Sequence, residues 1–179
     1  IDTLKGQGPA DFTEHCLVVA SHMLLLGEKA VHLQDARSMA EKALADGSGL
    51  AQLKKLVKNQ GGDTTYVDDP ARFPLAPVIR SAASPQEGYL SRVDALEIGE
   101  TSVRMGAGRS RKEDKIDHRV GIIVHHKVGD FVKAGETLFT LHASDEESFG
   151  MAADSVLSAC EWQAQPCEPL PLFYEVISQ

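Results

Sequence analysis

Apolar residues recur at three- and four-residue steps from residue 9 to about 60, and then, from 88 to 143, fall in short alternating runs cut by glycine. The first pattern lays side chains along one helix face, the second along one strand face. The steps predict a first helix over 9–31, with Phe12, Cys16, Val19, Met23, Leu26 and Ala30 on its apolar side. Pro9 suits its first turn, where a missing N–H leaves no partner wanting. A second helix is predicted over 34–46, with Ala36, Met39, Ala40, Ala43 and Leu44 inward and "DGSG" ending it. A third runs over about 50–60, with Leu50, Leu53 and Val57 opposite Lys54, Lys55 and Lys58, which read as a solvated face. Gly61, in "NQGGD", is placed to take the left-handed conformation that closes helices.

Residues 66–87 carry Pro70, Pro74, Pro77 and Pro85 and read as an extended connection. Beyond it "GYLSRVDAL" and "VGIIVHHKVGDFVKAGETLFTLHA" hold strand-like runs, with turns at Val128-Gly129-Asp130 and Ala134-Gly135-Glu136. Then "DEESFGMAADSVLSACEW" returns to helical spacing. Its acidic start, Asp145, Glu146 and Glu147, suits the positive end of a helix dipole. "LFYEVIS" closes the chain as an expected strand. The reading is an α+β chain: a helical segment (1–65), a connection (66–87), a small glycine-turned, barrel-like β module (88–145), and a helix with a terminal strand (146–179).

Composition narrows the classes. The 179 residues are 42% apolar and 25% charged, enough to bury a core. A net charge of −8 argues against a dedicated nucleic-acid binder, which needs surplus cation. Cys16, Cys160 and Cys167 fit neither a disulfide framework nor a zinc pattern, and point to a reducing, cytoplasmic setting. Apolar runs such as "MLLL" are too short to span a bilayer, and no signal-peptide pattern is present. The chain starts without methionine, as a processed protein or an excerpt of a longer one does.

Three places are candidates for chemistry. In "MGAGRSRKEDKIDHRVG", Met105 to Gly121, glycines Gly106 and Gly108 precede a basic cluster. Arg104, Arg109, Arg111, Lys112, Lys115 and Arg119 outnumber Glu113, Asp114 and Asp117 by three. A phosphate cradle wants such a loop between a strand and a helix N-terminus, whereas this one leads into the strand "VGIIV". A structural turn with solvated or paired charges is the favoured reading. Second, "KVGDFVKAGETLFTL" resembles hairpins of biotinyl and lipoyl carrier domains. The nearby lysine, Lys115 in "EDKID", lacks the flanks those carriers need. Third are the histidines. His15 and His22 lie seven apart, unlike metal ligands on adjacent turns, and His125 and His126, as strand neighbours, point to opposite faces. No nucleophile–base arrangement is legible.

Several stretches, in order, are similar to the C-terminal portion of the pyrimidine-nucleoside phosphorylase and thymidine phosphorylase family. They are "TLKGQGPADFTEHCLVVASHMLLLGEKA", "NQGGD", "VDDP", "MGAGRSRKEDKIDHRVGI" and "KVGDFVKAGETLFTLHASDE". The resemblance implies a dimeric two-domain enzyme in which phosphate attacks the anomeric carbon of a pyrimidine nucleoside and the base leaves. It implies an α/β hammerhead, barrel-sandwich-like module over 88–145, and a helical segment belonging to an α/β domain. The family's phosphate loop, its base-holding arginine, serine and lysine, and its cation site all belong to the portion before Ile1. No catalytic, cofactor or metal residue is therefore carried onto this chain, which is expected to be inactive alone. The alternative is a non-catalytic carrier or binding module of the same architecture. The mass of the parent protein separates the two.

Overall fold

A computed structural model of the chain describes residues 1–109 and 111–177. Ser110 of the glycine–arginine stretch, and Ser178 and Gln179 of the terminal run, lie outside the described residues. The chain divides into a helical unit, Ile1–Phe73 with the tail from Leu172, and a β unit, Pro74–Pro171. The architecture is α+β, with small antiparallel sheets.

In the helical unit α1 spans Ala10–Leu26, α2 Leu33–Ala45, α3 Ser48–Asn59 and α4 Thr65–Asp68. The first helix stops short of the predicted residue 31. Glu28 adopts a positive φ of 54°, and the N–H groups of Glu28 and Lys29 turn back to the carbonyls of Leu25 and Leu24. That satisfies the last carbonyls and ends the helix. Leu17, Ser21 and, on α2, Ala36 are the buried positions of this helix pair. The Arg37 fork of α2 fastens it to α1: Nη1 and Nη2 each donate to Glu14 at 2.7 Å, and Nε donates to Glu41 at 2.6 Å. The hydrogen bond from Arg37 holds the Glu14 carboxyl below its ordinary value. On α3, Lys55 and Lys58 are solvated as expected, but Lys54 pairs with Asp68 of α4, whose carbonyl also accepts from Lys5 Nζ at 3.0 Å.

The stretch 66–87, expected to be an extended connection, carries more structure than its prolines led one to expect. Most of α4 lies there, then a short turn Pro70–Arg72, then the strand β1, Val78–Ala83. β1 is an edge strand on the seven-residue β5, Thr137–Ala143, with Val78 opposite Ala143 and Ala82 opposite Phe139. Pro77 falls just before its first residue, a position that spares the ladder.

The other strands are β2 (Gly88–Val93), β3 (Gly121–Val124), β4 (Phe131–Val132) and β6 (Cys160–Gln163). The helices of this unit are α5 (Ala95–Ser102) and α6 (Glu146–Ser158). One sheet has the order β1-β5-β3 and the other β4-β2-β6, all antiparallel. Central β5 buries Leu138, Phe139, Leu141 and Ala143. Together with Leu90, Val132 and the inner face of α6, Ala152 and Val156, they form the core. Asp145 caps α6 by accepting the Ser148 N–H at 2.8 Å.

Two corrections concern the end of the chain. The helix starting near Asp145 stops at Ser158, and Cys160–Trp162, read from sequence as its continuation, belongs to the strand β6 (Cys160–Gln163) paired with β2. The strand expected in "LFYEVIS" is absent: among the described residues, 172–177 form no strand. Among the described residues this apolar run joins no ladder.

Candidate functional site

The glycine–arginine segment begins at Asp94, whose carboxylate accepts the N–H groups of Leu96 (3.0 Å) and Glu97 (3.2 Å) and so opens α5. After α5 the backbone continues as a wide helical turn, Val103–Ala107, which Gly106 leaves at φ +100°. Arg104 reaches back to Glu97, to Glu100 at 3.7 Å and to Thr101 Oγ1 at 2.7 Å. Asp117 N–H donates to the Gly106 carbonyl at 2.9 Å, tying together the two ends of the intervening loop. Gly108 is extended, but a Cβ there would lie 2.8 Å from Val103 Cγ2. The two glycines thus serve one turn by different means, a left-handed backbone at Gly106 and a close approach at Gly108.

The charges of the segment are divided. Asp117 accepts Arg119 through its backbone N–H (3.0 Å), Nε (2.9 Å) and Nη2 (2.7 Å). That guanidinium holds the Asp117 carboxyl down at about 2. Arg104 and Arg119 are therefore neutralised locally. Arg109 donates to the Lys112 carbonyl at 3.5 Å, and the Arg111 N–H to Asp114 Oδ2 at 2.8 Å. Arg111, Lys112 and Lys115 are exposed, and among the described residues their side chains form no ion pair. The glycines follow the C-terminal end of α5, where the helix dipole is negative. An anion is better placed at the opposite end of a helix. Lys115 lies within this loop and not at the tip of a tight hairpin, where a carrier lysine is expected.

The hairpin segment forms the two turns expected from sequence, and sets them around a histidine in a way the sequence reading missed. Lys127-Val128-Gly129-Asp130 and Lys133-Ala134-Gly135-Glu136 are two copies of one turn. In each the glycine has positive φ (99° and 83°), and the closing carboxylate accepts the N–H of the opening lysine (2.9 and 2.8 Å). His126 sits between them, Nδ1 3.6 Å from Asp130 Oδ2 and Nε2 3.6 Å from Glu136 Oε1. The signal was available: Lys-x-Gly-acid repeats at a six-residue interval. His125 turns elsewhere, its Nε2 2.8 Å from Thr140 Oγ1.

The other candidates are scattered. His15 stacks on Phe173, with ring centroids 5.3 Å apart, and His22 lines a hollow with Val18, Leu33 and Arg37. Seven residues of helix separate the two by about 10 Å along the axis, too far for one metal ion. Cys16, Cys160 and Cys167 are free thiols, and burial pushes that of Cys160 up to about 11, away from reactivity. Among the described residues no group of three or more His, Cys, Asp or Glu side chains is arranged to hold a metal ion.

Comparison with known proteins matches residues 89–163 to the family model of the pyrimidine nucleoside phosphorylase C-terminal domain. That range opens at β2 and ends at β6, within the β unit. The chain is 43% identical over 178 residues to a pyrimidine-nucleoside phosphorylase of Geobacillus stearothermophilus, covering 99% of this chain and 41% of that protein. It is 43% identical over 147 residues to the pyrimidine-nucleoside phosphorylase of Staphylococcus aureus strain USA300, covering 82% of this chain and 34% of the relative. The chain thus spans roughly two-fifths or less of the length of these relatives.

Proposed function

Because the chain belongs, as a C-terminal portion, to the pyrimidine-nucleoside phosphorylase family, we propose that it is one part of an enzyme that cleaves pyrimidine nucleosides with phosphate. In that reaction a phosphate oxygen bonds to the anomeric carbon as the glycosidic C–N bond breaks. The base leaves with the electron pair and takes up a proton, giving free base and ribose or deoxyribose 1-phosphate. The observation that carries the reading is the 43% identity held along 178 residues. Catalysis of this kind needs cations fixed around the phosphate and donors on the departing base. We read the groups that do this as belonging to the portion that precedes Ile1 in the longer relatives, of which this chain spans 41% or less. The helical unit is then part of an α/β domain completed by that portion, and the β unit is its hammerhead-like, barrel-sandwich-like module. The parent is read as a cytoplasmic homodimer; no helix of the described residues is long and apolar enough to cross a membrane.

The test is phosphorolysis of uridine and thymidine. This chain alone is expected to release no base above a blank preparation. The same chain joined to its preceding portion is expected to release base only when phosphate is present. Base release by the chain alone, or none by the joined protein, would overturn the reading.

A further inference from the structure

The two Lys-x-Gly-acid turns hang on different sheets. In the first, the Gly129 N–H donates to the Leu90 carbonyl and the Asp130 carbonyl accepts the Leu90 N–H, both at 2.9 Å, which fastens the turn to β2. The segment after β6 lies flush on the same turn: a Cβ at Gly129 would stand 3.0 Å from Pro169 N and Cα. In the second, the Gly135 N–H donates to the Ser84 carbonyl and the Ser84 N–H to the Glu136 carbonyl, both at 2.8 Å, which fastens that turn to the end of β1. β1 and β2 belong to separate sheets. His126, 22% exposed, stands between the turns, with Nδ1 and Nε2 at the same 3.6 Å from Asp130 and Glu136. Each carboxylate already accepts one backbone N–H, from Lys127 and Lys133, and has lone pairs left over. The hollow beside the ring is lined by uncharged Val93, Val124, Val128, Pro169 and Leu170, and by Lys127. The charged groups around the ring are thus Asp130 and Glu136, one at each nitrogen, and Lys127 on the hollow beside it.

We propose that His126 is a proton-operated latch between the two sheets of the β unit: charged, it donates to both turns and joins the β1 side to the β2 side; neutral, it holds one turn and releases the other. A neutral imidazole has a single N–H, so its second nitrogen turns a lone pair toward the other carboxylate, whereas an imidazolium donates from both nitrogens. At 3.6 Å neither contact is a formed hydrogen bond, and a shift of about half an ångström brings each into range. Histidine is the side chain that changes charge between about pH 5 and 8, so the latch closes under mild acid and opens as pH rises. It lies wholly within the β unit and is independent of the reaction proposed above.

Nitrogen NMR of the histidine rings and amide hydrogen exchange, followed on this chain from about pH 8 to about pH 5, test it. On acidification the His126 ring should pass from one N–H proton to two, both exchanging slowly with water. The protection factors of the Lys127 and Lys133 amides, corrected for intrinsic rate, should rise together by roughly 3- to 5-fold, the worth of a partly exposed ion pair. His126→Gln keeps a neutral donor but takes no charge, and both amides should then stay flat with pH. Glu136→Gln keeps an oxygen for the Lys133 N–H, and should lose the rise at Lys133 while retaining it at Lys127. The ring signals are assigned through the backbone of residue 126, so they decide even if His126→Gln fails to fold. Flat protection in the wild type, a rise at one turn only, a rise that persists in His126→Gln, or a protonated ring whose N–H protons exchange at the rate of free imidazolium overturns the latch.

Discussion

At Gly108 the obstacle to a larger residue is a neighbour and not the backbone. A methyl there meets Val103 Cγ2 at 2.8 Å, and valine, stiff at χ1, cannot swing aside. Gly108→Ala is therefore expected to lower stability by roughly 1–3 kcal/mol, the range for overpacking. Val103→Ala removes the obstructing methyls, and the double variant should recover part of the loss in a urea-melt mutant cycle. Losses that simply add would place the conflict elsewhere. Asp117 is a second local case. Its folded carboxyl, held at about 2 by Arg119, lies below an unfolded value near 4. The stabilisation is thus present above about pH 4 and is lost as pH falls through about 2. Asp117→Asn should lower the urea midpoint at neutral pH and flatten its fall between about pH 4 and 2. An unchanged slope between pH 4 and 2 would remove Asp117 from the acid response.

At the scale of elements, α1 is long and periodic but amphipathic in an unusual sense, with apolar residues on its outer side as well as its inner one. Without a covering sheet that stripe should drive association of the isolated chain. Sedimentation is expected to show mass rising with concentration, and Met23→Glu should reduce it; a monomer at all concentrations would mean that the stripe is harmless. The three long helices were legible because sustained periodicity survives any context. What the sequence concealed was short. α5 has eight residues embedded in strand-like text, and only the spacing of Asp94 and Glu97 marked its start. β1 lay among prolines, and its partner β5 is about sixty residues away, a distance that no local pattern reports. β6 continued the apolar spacing of α6 until its pairing with β2 decided otherwise. Of the glycine–arginine turn, the positive φ at Gly106 and the close approach at Gly108 were foreseeable from residue type, but the division of its charges needed the fold.

At the scale of the whole chain, both ends contribute to the helical unit, and the β unit is contained between residues 74 and 171. The ring contact between His15 and Phe173 spans most of the sequence. Synthesis runs from the first residue to the last, at about 5–20 residues per second. The helical unit, although its helices come first in the sequence, takes its last contact from the far side of the β unit, since the ring that stacks on His15 lies beyond Pro171.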